Sequence, residues 1–293
     1  MEQNRKRLLV LLVLLLFMAI AFITSSFLPS LVHKMRQSLF SLTQENLRGY
    51  IITGDIKNQS LVHDKNVWVV KKDNVIFPAD PEKINRITDI LNNLTKETVV
   101  SENIKKHALF GIDKKKITIQ TTAGEKKLYI GKYYAGNAHY ARIGNENQIF
   151  LGEGLGELNL DEDYRDLNTD FIANKEDINS ILIESSHNTT TLAKKGKEWS
   201  IGAQRASITK VDQFLNDLIT LEASDILPEK DKLQTTDESF SITTKGKDSA
   251  THILFVPYNE TSYKVQSSSS TLTYVVADVY VSALQKNIDD FLE

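Results

Sequence analysis

Beyond its N-terminal stretch, the chain runs twice through one pattern of apolar and polar positions. Each copy opens with a polar turn and a strand of period-two apolar spacing, LRGYIIT from Leu47 to Thr53 and INSILIE from Ile178 to Glu184. Such alternation marks a strand with one buried face. A second strand around Leu61 or Leu192 leads through a polar turn, His63 to Asn66 or Lys194 to Lys197, into a strand carrying one of only two tryptophans, Trp68 and Trp199. Glu45 and Glu176, Leu47 and Ile178, Ile52 and Ile183, Leu61 and Leu192, and the tryptophans all stand 131 residues apart. This constant offset predicts a small antiparallel meander made twice.

An amphipathic helix follows. In DPEKINRITDILNNL, Asp80 is placed to cap, Pro81 takes the first helical position, and Ile84, Ile87, Leu91 and Leu94 form one stripe. The second copy has Ser207 as cap and Val211, Phe214, Leu218 and Leu221 as its stripe, at an offset of 127. A stripe that keeps its spacing while its residues change faces a core. Two hairpins come next, KITIQTTAGEKKLYIG (Lys116 to Gly131) with HYARIGNENQIFLG (His139 to Gly152), then SFSITTKGKDSATHILFV (Ser239 to Val256) with SYKVQSSSSTLTYVV (Ser262 to Val276). Ala123-Gly124 and Gly144-Asn145 supply the turns, and Tyr140 and Tyr263 coincide at an offset of 123. A short acidic helix-like segment closes each copy, around Leu158 to Leu167 and Ala283 to Leu292.

The fold class is therefore α+β: a tandem duplication of a mainly antiparallel β unit, with six or seven strands and one main amphipathic helix per copy. The tight turns between strands argue against a continuous parallel sheet, which needs crossover helices. The division expected is an N-terminal segment over residues 1–36, a first repeat over 37–170 and a second over 171–293. At 293 residues, two cores of ordinary size are affordable within one chain.

The N-terminal segment changes the picture. Arg5, Lys6 and Arg7 precede a charge-free run of 21 residues, Leu8 to Leu28, long enough at helical rise to cross roughly 30 Å of hydrocarbon. Ala19 and Ala21 offer a small-x-small site for a cleaved signal peptide. The apolar run continues through Phe22, Ile23, Phe27 and Leu28, which favours an uncleaved transmembrane anchor. Three basic residues before the span against Lys34 and Arg36 after it give a slight bias toward an N-terminus inside. Setting residues 1–36 aside leaves 30 basic and 37 acidic residues, a net charge of −7. An acidic body without a basic cluster argues against a nucleic-acid partner.

Candidate chemistry is sparse. The chain has no cysteine, which removes thiol nucleophiles, disulfides and thiolate metal sites together. His33, His63, His107, His139, His187 and His252 are scattered singly, none with a partner at metal-ligand spacing. The run DEDYRD, Asp161 to Asp166, lacks the glycine and alternating ligands of a calcium loop and reads as a solvated helix end. Gly152, Gly154 and Gly156 read as a turn leaving a strand, since no βαβ unit follows. No Gly-x-Ser-x-Gly elbow is present, and Ser267 to Ser270 read as a hairpin tip. No catalytic, cofactor or metal residues are assigned. Trp68, Trp199, Tyr140 and Tyr263 are the candidates for a ligand or partner surface, although for the two tryptophans a core anchor repeated by the duplication is the favoured reading.

An ordered set of features resembles one family. A basic N-terminus and single span precede a Trp strand, PADPEKINRITDILNNL, LFGID (Leu109 to Asp113), LYIG (Leu128 to Gly131), HYARIG (His139 to Gly144) and YRDLNTDFI (Tyr164 to Ile172), and a second Trp strand and helix follow. Over roughly residues 40 to 293 this is similar to the bacterial domain-of-unknown-function family 4340. The resemblance implies a protein anchored in the bacterial inner membrane by Leu8 to Leu28, its two repeats extracytoplasmic, acting with the permease and ATPase components of an ABC transporter of the gliding-motility auxiliary type. It carries over no catalytic residues. The expected function is thus a non-enzymatic accessory or scaffold; the alternative is an envelope module that captures a glycan or peptide between the repeats. One departure from the pattern is the short connection between Trp199 and the second helix.

Overall fold

A computed structural model describes residues 38–72, 75–172, 174–227, 233–247 and 249–292, together with residue 18. The run Leu8 to Leu28 therefore lies, but for Met18, outside the described residues. Among the described residues no helix is long and apolar enough to cross a membrane.

The duplication is explicit in the strand order. The first copy comprises β1 (Leu47–Thr53), β2 (Asn58–Asp64), β3 (Val67–Lys72), β4 (Val75–Pro78), helix α1 (Pro81–Asn93), β5 (Lys96–Ser101), the short α2 (His107–Phe110), β6 (Lys115–Thr121), β7 (Gly124–Ala135), β8 (Ala138–Ile143) and β9 (Ile149–Glu153). The second comprises β10 (Ser180–Ser185), β11 (Thr189–Lys195), β12 (Glu198–Ile201), β13 (Gln204–Ala206), helix α3 (Ile208–Ile219), β14 (Asp225–Leu227), β15 (Phe240–Lys245), β16 (Ala250–Asn259), β17 (Ser262–Ser267) and β18 (Thr273–Ala277), then α4 (Asp278–Ser282) and α5 (Ile288–Phe291). The two nine-stranded sheets have the orders β4-β3-β2-β1-β6-β7-β8-β9-β5 and β13-β12-β11-β10-β15-β16-β17-β18-β14. Adding nine to each strand of the first reproduces the second.

Nine strands per copy exceed the six or seven expected. The surplus lies at the sheet edges, where strands as short as Gln204–Ala206 and Asp225–Leu227 are too brief to show a period-two pattern. By contacts the described chain forms two compact units. One holds residues up to Trp68 together with Pro81–Asp163, the other Val69–Asp80 together with Tyr164–Glu293.

In the first unit the alternating residues of the central strands, Tyr50, Ile52, Leu61, Ile117, Ile119 and Leu128, are fully buried. So is the predicted stripe Ile84, Ile87, Leu91 and Leu94. A hydrogen bond of 2.8 Å between the Tyr50 hydroxyl and Thr88 Oγ1 ties β1 to α1, and burial pushes the Tyr50 phenol above its ordinary titration range. Residues 38–42 fold onto the helix end, where Asn92 accepts from the Leu42 amide at 2.7 Å and donates to its carbonyl at 2.9 Å. The second unit repeats the scheme with Val211, Phe214, Leu215 and Leu218 buried on α3, and Phe214 meets Phe291 edge-on at 5.5 Å. Ser207 precedes α3 as expected, but its hydroxyl makes no capping bond; its amide donates to the Phe291 carbonyl at 2.8 Å.

The segment Leu158 to Leu167 is not a helix. After a single 3-10 turn, Leu155–Glu157, the chain is irregular, because its acidic groups are engaged elsewhere. Asp161 accepts from the backbone amides of Asp55, Ile56 and Lys57 at 3.2, 2.7 and 3.0 Å. Glu162 pairs with Arg86, the shorter contact being 2.5 Å, and Lys83 donates to the Asp163 carbonyl at 2.9 Å. DEDYRD is thus a clasp across the β1–β2 turn and α1, and not a solvated end. In the second copy the closing segment does hold a helix, α5, with a full capping box at Asn287.

Candidate functional site

Three separate motifs meet at one corner of the first unit. LFGID ends α2: Gly111 sits in the left-handed region (φ 71°), its N–H reaching the Ala108 carbonyl, and the Ile112 N–H bonds the His107 carbonyl at 3.2 Å. This is a helix stop that favours glycine. The turn presses on LYIG in β7 so closely that a Cβ on Gly131 would lie 2.3 Å from the Phe110 carbonyl oxygen. HYARIG supplies the neighbouring strand. His139 Nδ1 lies 2.9 Å from the Gly131 carbonyl oxygen, and Phe110 meets Tyr140 edge-on at 4.7 Å.

These contacts shape a cavity of about 500 Å³. Buried Ile130 and Gly131 and half-buried His139 line it, with Lys114, Lys115 and Lys132 as its cations and Asp55 as its one carboxylate. Lys115 is held by Asp55 at 2.6 Å. Asp55 in turn belongs to the β1–β2 turn that Asp161 clasps. The three amides from Asp55 to Lys57 hold the Asp161 carboxyl below its ordinary titration range, the bonds from Ile56 and Lys57 being the largest causes.

The second unit has a cavity at the corresponding corner, of about 560 Å³. The ladders establish the correspondence: Ile52 faces Ile117 and Ile183 faces Ile242, while Ala141 faces Phe150 and Val265 faces Tyr274. In this frame Ser186 replaces Asp55, Phe240 replaces Lys115 and Tyr263 replaces His139, and all six line their respective cavities. The lining chemistry has changed. Asp237 and Glu238 face this cavity with His187 and Lys286, and the turn is fastened by Ser186 Oγ donating to the Asp237 carbonyl at 2.6 Å.

The four aromatic candidates fall in different places. Trp199 is 2% exposed, with Lys194 Nζ 5.6 Å from its ring centroid. Trp68 is half-buried and stacked against Tyr50 at 5.7 Å and His63 at 5.0 Å. Tyr140 packs against Phe110 and, at 5.6 Å, Tyr134. Tyr263 alone of the four lines either cavity. The ladders also separate the tyrosines. Since Ala141 corresponds to Val265, Tyr140 corresponds to Lys264, and a one-residue slip in a strand reverses the face.

Reading residues by type misses Lys114, Lys132 and the two glycines. The available signal was the glycine inside LFGID and inside LYIG. The Gly152-x-Gly154-x-Gly156 spacing is a packing feature: a Cβ on Gly152 would meet Leu155 at 2.6 Å and one on Gly156 would meet Asn137 Oδ1 at 2.3 Å. Among the described residues no group of three or more His, Asp or Glu is placed to hold a metal ion.

Fold and site together define a tandem antiparallel unit with a cavity at the same corner of each copy. The family model for a domain of unknown function, DUF4340, matches residues 68–241, more than half of the chain, and the protein belongs to that family. No curated protein and no solved structure matches it.

Proposed function

We propose that the protein is a non-enzymatic, single-pass component of the bacterial inner membrane whose paired units serve as an accessory or scaffold for an ABC-type transport system. The supporting observation is how the motif residues are used. Gly111, Gly131, Asp161 and Arg165 each join segments distant in sequence, which suits a rigid spacer more than a reaction centre. The charge-free run Leu8 to Leu28 supports the anchor, and the family resemblance supports the transporter partner. Purification of the full chain from its native membrane in mild detergent tests this. Permease or ATPase subunits should co-purify reproducibly, and their consistent absence would count against the scaffold.

A second reading, an envelope module that binds a small ligand, is favoured by the twin cavities. Each is of the size that small-molecule sites occupy. This reading places the ligand within a unit.

A further inference from the structure

We propose that the cavity of the first unit is a phosphate-binding site, and that its counterpart in the second unit has lost that ability. This rests on the binding-module reading but not on the transporter partner. The chain is acidic overall, net −3, yet three lysines converge on this one concavity against a single carboxylate. Only Lys115 has its charge answered, by Asp55. Lys114 and Lys132 are exposed and make no ion pair or side-chain hydrogen bond among the described residues. Like charges gathered in a concave surface without counter-charge raise the local concentration of anions. Ammonium groups on flexible stems suit the compact oxyanion of a phosphate group better than they suit a neutral ligand.

The backing of the cavity is a packed one. The LFGID turn fills the place of a side chain at buried Gly131 and brings Lys114 to the same opening as Lys132 of β7. At about 500 Å³ the space exceeds a bare phosphate ion, so the group recognised belongs to a larger molecule, either a soluble phosphorylated metabolite or a phospholipid headgroup. In the second unit Phe240 stands where Lys115 stands, and Asp237 and Glu238 line the opening. An anion is repelled there, so one site per chain follows.

The full chain in neutral maltoside micelles would be titrated by calorimetry with sodium pyrophosphate, and separately with micelles doped with phosphatidylglycerol. Saturable binding of either probe at one site per chain is expected; pyrophosphate alone points to a soluble ligand and phosphatidylglycerol alone to a headgroup. The double variant Lys114→Glu, Lys132→Glu should weaken binding by about tenfold or more. The milder Lys114→Gln, Lys132→Gln should weaken it less, and circular dichroism checks that both fold. Lys195→Glu with Lys197→Glu, on a hairpin tip of the second unit, should leave binding unchanged. Failure of both probes to bind, indifference to the Lys114 and Lys132 changes, or equal weakening by the hairpin control would each overturn the proposal. None of these outcomes depends on a transporter being present, so a failed co-purification would be read separately.

Discussion

Arg165 Nη2 donates to Asp225 Oδ1 at 2.7 Å while its Nη1 donates to the Ile226 carbonyl at 3.0 Å. The guanidinium carbon also lies 5.2 Å from the centroid of the Phe77 ring. The arginine side chain is 7% exposed and the aspartate 50%, so the ion pair joins a buried cation to a half-solvated anion. Its neighbours tie the same place: the Asp80 backbone amide donates to the Tyr164 carbonyl and the Asp166 amide to the Pro78 carbonyl, both at 2.9 Å. The arginine of YRDL thus fixes Val69–Asp80 to β14 within one unit.

Arg165→Met should lower stability by about 2 kcal/mol, because a buried carbonyl loses its donor while Asp225 can turn to water. Arg165→Lys should recover part of this, since a lysine keeps the charge but cannot make both bonds in one plane. Urea unfolding of the three proteins checks the order. Equal stability of wild type and Arg165→Met would refute the role given to this pair.

The Asp161 clasp gives stability a pH dependence of known sign. Its carboxyl is held below the ordinary range in the folded state, so its contribution is complete above the unfolded value near about 4 and fades as pH falls through the folded value. Asp161→Asn should therefore melt below wild type at neutral pH, with the gap narrowing in acid. A gap that stays constant from neutral to acid pH would remove the charge from the explanation.

Gly131→Ala places a Cβ 2.3 Å from the Phe110 carbonyl oxygen and 2.9 Å from Ile112 Cδ1. The LFGID turn must lift from β7, at an expected cost of about 1–3 kcal/mol, as for other overpacked interiors. The melting temperature should drop, and amide exchange should quicken at Gly111 and Ile112 before it does in the second unit.

The tryptophans should respond differently to acrylamide. Trp199, alone in the variant Trp68→Phe, should be strongly shielded; Trp68, alone in Trp199→Phe, should be quenched more readily through its partly open edge. Equal quenching constants would contradict the difference in burial.

The two sheets and both helix stripes were legible in the amino-acid pattern, since period-two and 3.6-residue spacing depend only on which face is buried. The constant 131-residue offset held through the meander because no bulge interrupts the pairing of β10 with β11, and Lys194 faces Trp199 where the offset places His63 beside Trp68. The offset of 123 that matches Tyr140 with Tyr263 does not hold in the ladders, where irregular pairings near Tyr133 and Pro257 shift the count by one residue. DEDYRD departs from the expected helix end for another reason. Asp161 finds its partner amides about a hundred residues earlier, and no local pattern reports a hydrogen bond of that separation. The cavity was hidden likewise, since its residues come from the β1–β2 turn, the LFGID turn and three later strands. Within each of those segments nothing marks lysine as more than surface.

The central places of β1 and β10 in their sheets bear on how this family is handled at the bench. The stretch by which the family is recognised, residues 68–241, starts inside β3 and stops inside β15. A recombinant fragment cut to it would lack β1 and β2, which separate the β3–β4 hairpin from β6, and also β16, β17 and β18. It would expose raw strand edges in both halves, an invitation to aggregate. The smallest piece worth expressing extends outward on both sides, from the segment at Ser38 that covers α1 to the capped helix at Ile288.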